Sequence, residues 1–90
     1  MLVALMAYDK DGALELRKAN RDAHVAYLKS SDLVRQAGPF LNAGGEMCGS
    51  LIILEVTEFH DAEKWAAADP YALAGLFREV TMMPWNKVIG

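Results

Sequence analysis

Apolar residues run unbroken from Leu2 to Tyr8, then Asp9-Lys10-Asp11-Gly12 interrupts them. A run this short reads as a strand covered on at least one face. Asp11 is placed to cap the next element. From Ala13 to about Leu28 the chain is rich in helix formers, with no proline or internal glycine, which predicts a helix. Ser30-Ser31-Asp32 ends it. Leu33 to Phe40 reads as a second extended segment. Pro39 near its end confines it to an edge or a bulge, because proline has no N–H for a central ladder. Asn42-Ala43-Gly44-Gly45 is a turn by composition. Gly49 to Val56, centred on Leu51-Ile52-Ile53-Leu54, predicts a third strand. Thr57 is placed to cap a second helix from Glu58 to Ala68, with Phe59, Ala62 and Trp65 on one face. Asp69 and Pro70 suit the N-cap and first position of a further short helix that stops at Gly75. Leu76 to Met83 predicts a fourth strand, followed by Pro84-Trp85 and a tail.

The order β-α-β-β-α-β predicts an α+β, ferredoxin-like βαββαβ fold: an antiparallel four-stranded sheet with two main helices on one face. The other sheet face is then bare, and strands three and four supply apolar side chains for it. Burying that face against its own copy predicts a homodimer through the sheets. A 90-residue chain buries only about 60% of its unfolded surface, so association adds stability. A hydrophobic content of 53% with 23% charged residues excludes a disordered chain. The net charge of −3 gives no case for a nucleic acid or an anionic membrane as partner. The apolar runs are too short to cross a bilayer, and the N-terminus shows no basic region or cleavage site, so the cytoplasm is expected. The single cysteine, Cys48, excludes an internal disulfide and a cysteine metal cluster.

Candidate chemistry gathers on the first helix. At about 100° per residue it divides into three sides. Leu16, Ala19, Ala23, Ala26 and Tyr27 form the expected packing face. Glu15, Lys18, Asp22 and Lys29 form the wet face. Leu14, Arg17, Arg21, His24 and Leu28 form a third strip whose polar members could point into a cleft. In the simpler reading the arginines are solvated and pair with carboxylates such as Asp22 or Asp9, contributing under about 1 kcal/mol. In the sharper reading they hold the oxygens of a small anion. His24 gains interest from Asp69, an acid that opposes the dipole at the end of a helix. Asp69 either caps the next helix or orients His24, fixing its tautomer and leaving the other ring nitrogen to move a proton.

Arg17-x-x-x-Arg21-x-x-His24-x-x-x-Leu28, Ala37-Gly38-Pro39, Gly49-Ser50, Trp65-Ala66-Ala67-Ala68-Asp69-Pro70-Tyr71, Gly75 and Pro84-Trp85 succeed one another in an order that resembles the YciI-like, or YCII-related, family. The resemblance covers nearly the whole chain, residues 1–90 forming a single domain. It implies a dimeric α+β barrel and a site centred on a histidine and an aspartate, matched by His24 and Asp69. Arg21 matches the same pattern, and Arg17 matches less closely. A related branch resembles a dehydrochlorinase acting on chlorinated hydroxyquinols. The turn Asn42 to Glu46 is shorter than in many members, which leaves the substrate open.

Ser50 is placed to be a further polar group in the cleft, but no nucleophile elbow surrounds it. Cys48 reads as an ordinary half-buried thiol, and His60 as a surface residue. Two histidines without suitable acid spacing make no metal motif, and no cofactor is expected. Two functions remain. One is an enzyme with His24 as general acid/base, Asp69 as its orienting carboxylate, and Arg21 with Arg17 and Ser50 binding a small anionic or aromatic substrate in an isomerisation, elimination or hydrolysis. The other is a non-catalytic ligand-binding or dimerisation module.

Overall fold

A computed structural model describes all 90 residues. The elements are β1 (Leu2–Asp9), α1 (Leu14–Ser30), β2 (Val34–Leu41), β3 (Met47–Glu55), α2 (Phe59–Ala67), the single-turn α3 (Pro70–Leu73) and β4 (Phe77–Trp85). The four strands form one sheet in the order β2-β3-β1-β4, with every neighbouring pair antiparallel. This is the ferredoxin-like α+β arrangement that the element order predicts.

Register decides what each face holds, because side chains alternate along a strand. Val3, Leu5 and Ala7 of β1 stand opposite Leu54, Ile52 and Ser50 of β3. That row lies under the helices, where Val3, Leu5, Ala7, Ile52, Leu54, Val56, Ala62 and Trp65 form the core. The alternate row, Leu2, Ala4, Met6 and Tyr8 with Leu51 and Ile53, lies on the other face. Leu51, Met83 and Trp85 remain exposed there. Pro39 and Pro84 both fall in strands, and both strands are sheet edges, where a missing N–H costs no ladder bond.

Three local expectations are corrected. Helix α1 has Ala13 at its N-cap position with no side-chain hydrogen bond, so Asp11 does not cap it. Glu58, not Thr57, caps α2, through a reciprocal pair in which Asp61 returns the bond to the Glu58 N–H. The third correction concerns the inward side of α1. Leu16, Ala19, Ala23 and Ala26 are exposed or only partly covered, while Arg17 and His24 are buried, with Leu14 and Leu28 half-buried beside them. The strip with the polar residues meets the sheet. It does so because each buried polar atom has a partner waiting there, and no buried side-chain nitrogen or oxygen is left unbonded.

Candidate functional site

Strand alternation carries β1 past Val3, Leu5 and Ala7 to Asp9, so the carboxylate of Asp9 ends up beneath α1 and buried. Arg17 descends onto it from α1. Its Nε donates to Asp9 Oδ2 at 2.7 Å, and one terminal nitrogen donates to Asp9 Oδ1 at 3.4 Å. The same nitrogen donates to the Gly49 carbonyl at 2.6 Å and to Ser50 Oγ at 2.7 Å. The other terminal nitrogen donates to the Tyr71 hydroxyl at 3.5 Å. Gly49 must be glycine, since a Cβ there would stand 2.4 Å from the Ala7 carbonyl oxygen. The simpler sequence reading paired Arg17 with Asp9 at the surface; the pair is buried, with both charges enclosed.

Two turns further along α1, His24 faces the same interior. Its Nδ1 lies 2.8 Å from Asp69 Oδ1, and both residues are buried. That oxygen also accepts the Tyr71 N–H at 2.9 Å, so Asp69 is the N-cap of α3 as well. The two explanations of Asp69 drawn from the sequence are therefore compatible. An ionised carboxylate can only accept, so the neutral imidazole carries its proton on Nδ1 and presents Nε2 as an unprotonated nitrogen. Nε2 has no partner within the chain, yet no buried side-chain nitrogen is left unbonded, so Nε2 retains accessible surface.

Tyr71 ties these parts together. Its ring stacks on the His24 imidazole with centroids 3.9 Å apart and planes 15° apart. The Arg17 guanidinium carbon lies 4.7 Å from its centroid, within cation–π range. Burial pushes the Tyr71 phenol above its ordinary value of 10.0, outweighing the pull of Arg17 and Arg21, and the Asp69 carboxylate adds to the rise. Tyr27 is raised by the same two causes, burial first and then Asp69. It anchors the end of α1 to α2, its hydroxyl donating to the Trp65 carbonyl at 2.7 Å.

His24, Arg17, Ser50 and Tyr71 all line one cavity of about 270 Å³ between α1 and the β2-β3 edge of the sheet. Ala37, Gly38 and Pro39 form its outer wall, and Val25, Leu28, Met47 and Ile52 supply apolar surface. Arg21 and Lys29 border it from α1; both are exposed and neither has an ion-pair partner. Every residue expected in the site therefore borders this cavity except Asp69, which stands behind His24. A larger but open hollow of about 810 Å³ lies at Met1, Leu33, Val56 and Trp65. It carries no histidine or cysteine, and the Met1 ammonium there already pairs with Glu55 at 3.0 Å. Outside the cavity, His60 is exposed beside Glu63, and the Cys48 thiol contacts the Phe40 carbonyl.

Sequence reasoning gave no role to Tyr71 and only a surface one to Asp9. Both carried a signal. Asp9 continues the alternation of Val3, Leu5 and Ala7 onto the helix-covered face, and Tyr71 directly succeeds the Asp-Pro junction.

A model of the YCII-related domain matches residues 1–86. Protein YciI of Escherichia coli O6:H1 is 35% identical over 100 residues, covering 98% of this chain and 99% of that protein. An uncharacterised protein of Haemophilus influenzae is 33% identical over 97 residues, with the same coverage. Among solved structures, the 5-chloro-2-hydroxyhydroquinone dehydrochlorinase TftG of Burkholderia phenoliruptrix, in complex with 2,5-dihydroxybenzoquinone, is 32% identical with a TM-score of 0.90, covering 96% of this chain and 94% of its own. The cofactor-independent oxygenase SnoaB of Streptomyces nogalater shares the fold, with a TM-score of 0.65 at 10% identity over 98% of this chain and 95% of its own.

Proposed function

The chain belongs to the YCII-related family, and on that premise we propose that it is an enzyme that moves protons on a small oxygenated ring. His24 is the general acid/base, Asp69 its orienting carboxylate, and Arg21 the cation that holds an anionic group at the cavity mouth. The observation that carries this reading is the buried 2.8 Å contact between His24 Nδ1 and Asp69 Oδ1, with Nε2 left available beside a cavity. A carboxylate on one ring nitrogen stabilises the imidazolium that forms when the other takes a proton. The cavity, at about 270 Å³, falls just below the roughly 300–1,000 Å³ of sites for drug-sized ligands, which favours a single ring. The hydroxylated ring bound by the dehydrochlorinase relative supports the same substrate class. Elimination of chloride and tautomerisation of a ring hydroxyl both need only proton transfer at a positioned base, so neither requires a cofactor.

The enzyme acts as a homodimer in this reading, with Leu51, Met83 and Trp85 on the open sheet face buried against a second copy. Sedimentation of the wild type and of a Met83→Glu variant tests that separately.

The functional test exposes wild type and His24→Gln to hydroxyhydroquinones, with and without a ring chlorine. Chloride release and exchange of ring C–H for deuterium are monitored near neutral pH. Turnover that depends on His24 is expected. Absence of both signals in the wild type, or equal rates in the variant, refutes the reading. One observation favours a non-catalytic binding module: Asp69 also caps α3. That alternative predicts ligand binding without any His24-dependent exchange.

A further inference from the structure

We propose that the Ser50 and Tyr71 hydroxyls are a paired oxyanion site, in which each oxygen is held by Arg17 and each O–H donates a hydrogen bond to a phenolate or enolate oxygen of the ligand. This rests on the proposed function and deepens it, by assigning the groups that receive the negative charge.

Proton accounting carries it. Arg17 is a pure donor. One of its terminal nitrogens donates to Ser50 Oγ at 2.7 Å and the other donates to the Tyr71 hydroxyl at 3.5 Å. Each hydroxyl therefore uses its oxygen as an acceptor toward the guanidinium. Neither donates its own proton to any group of the chain, although both residues are almost wholly buried and both line the cavity. Two donors without acceptors, mounted on the two terminal nitrogens of one cation, suit a ligand atom that accepts more than one hydrogen bond. A C–H edge would leave them unmatched, and a neutral oxygen would match them only with the weaker uncharged bonds. An oxygen bearing charge matches both, and its hydrogen bonds are of the stronger charge-assisted kind.

Arg17 cannot be the direct anion clamp in this arrangement. Its charge is matched by Asp9, and four of its five N–H groups are engaged by Asp9, Gly49, Ser50 and Tyr71. It is a positioning residue that polarises the two hydroxyls. The raised Tyr71 phenol is consistent with this, since it keeps the proton on the donor at neutral pH. Chemically the site complements His24. When Nε2 removes a proton from a ring hydroxyl or ring carbon, the electron pair left behind moves to a ring oxygen. Ser50 and Tyr71 stabilise it there without any change of oxidation state.

The probe is para-nitrophenol, whose ionised form is coloured, so the fraction ionised when bound is read directly. Wild type is expected to bind phenolate over phenol, lowering the apparent pKa of the bound probe. Tyr71→Phe keeps the ring stacked on His24 and removes only the hydroxyl. It and Ser50→Ala should each weaken phenolate binding by about tenfold or more, leaving affinity for a neutral ring such as nitrobenzene unchanged. Thermal melting confirms that each variant is folded. If wild type shows no preference for phenolate, or the double variant retains it, the inference is overturned. The His24→Gln variant separates this from the acid/base reading. Phenolate preference should survive in it, and its loss there would place the anion at His24 and overturn the pair. Failure of His24-dependent exchange with phenolate preference intact would refute the base alone.

Discussion

Replacing Asp9 with asparagine tests whether the Arg17 charge is held inside the protein. The two side chains, Arg17 and Asp9, are 3% and 6% exposed and meet at 2.7 Å. Asp9→Asn keeps the shape and removes the charge, leaving a guanidinium in the interior with only neutral acceptors, the amide oxygen of the new residue and the oxygens of Gly49, Ser50 and Tyr71. Breaking a buried pair from one side costs about 3–5 kcal/mol, because the remaining charge is uncompensated. A chain of this length has about 5–13 kcal/mol of total stability, so the loss is a large share of the whole. At about 4–8 °C per kcal/mol, the melting temperature should fall by at least about 12 °C. The assay is thermal and urea unfolding of wild type and variant at matched protein concentration, which holds any contribution from association fixed. A double variant, Asp9→Leu with Arg17→Met, should recover only part of the loss: it removes the uncompensated charge, but it takes the donor away from the Gly49 carbonyl and the Ser50 and Tyr71 hydroxyls. A loss below about 1 kcal/mol in Asp9→Asn is the size expected of a solvated surface pair. That result would refute the argument that burial gives this contact its weight.

Asp69→Ala should lower stability by about 1 kcal/mol through loss of the α3 cap, and nitrogen NMR should show that His24 no longer holds its ring proton on Nδ1; an unaltered tautomer would sever the proposed link between the two residues. Gly49→Ala should lower the melting temperature or abolish soluble protein, because the added Cβ would stand 2.4 Å from the Ala7 backbone oxygen, an overpacking that typically costs about 1–3 kcal/mol or more. Tyr27 and Tyr71 are held above 10.0 in the folded chain, so above that pH the unfolded state loses its protons first and stability falls as pH rises. Unfolding midpoints taken across the alkaline range should show this decline, and Tyr71→Phe should flatten it; an equally steep decline in the variant would locate the effect elsewhere. Asp61→Ala should destabilise α2 by about 0.5–2 kcal/mol by removing the acceptor of the Glu58 N–H, while Thr57→Ala leaves the melting temperature unchanged, and the reverse order would return the cap to Thr57.

The strands were legible because their apolar runs match the strand period and proline marks the edges. Pro39 lies in an edge strand as its missing N–H requires, and the Asn42 to Gly45 turn stands between β2 and β3. The inward side of α1 was not legible. Ranking its faces by apolarity selects Leu16, Ala19, Ala23 and Ala26, whereas the side that meets the sheet bears Arg17 and His24. A helical pattern says which residues share a side, but the partners that make polar burial tolerable lie on other elements. Asp9, Ser50 and Asp69 belong to three of them, the last 45 positions from His24. The residues alone offered His24 as a partner for Asp69 beside a plain helix cap, and the ordered motif set of the family favoured the pair. The error on α2 was smaller: Thr57 has the commoner capping side chain, but the reciprocal bond between Glu58 and Asp61 decides the position.

One oxygen of Asp69 serves both a backbone amide and an imidazole, and this narrows what evolution can place there. Serine, threonine and asparagine would each start the final helical turn about as well. None of them brings a formal negative charge to steady a protonated ring. Under the proposed function, a position with four interchangeable occupants in an ordinary protein has one here. A drift to serine would leave a chain that folds normally, yet whose histidine has lost its counter-ion.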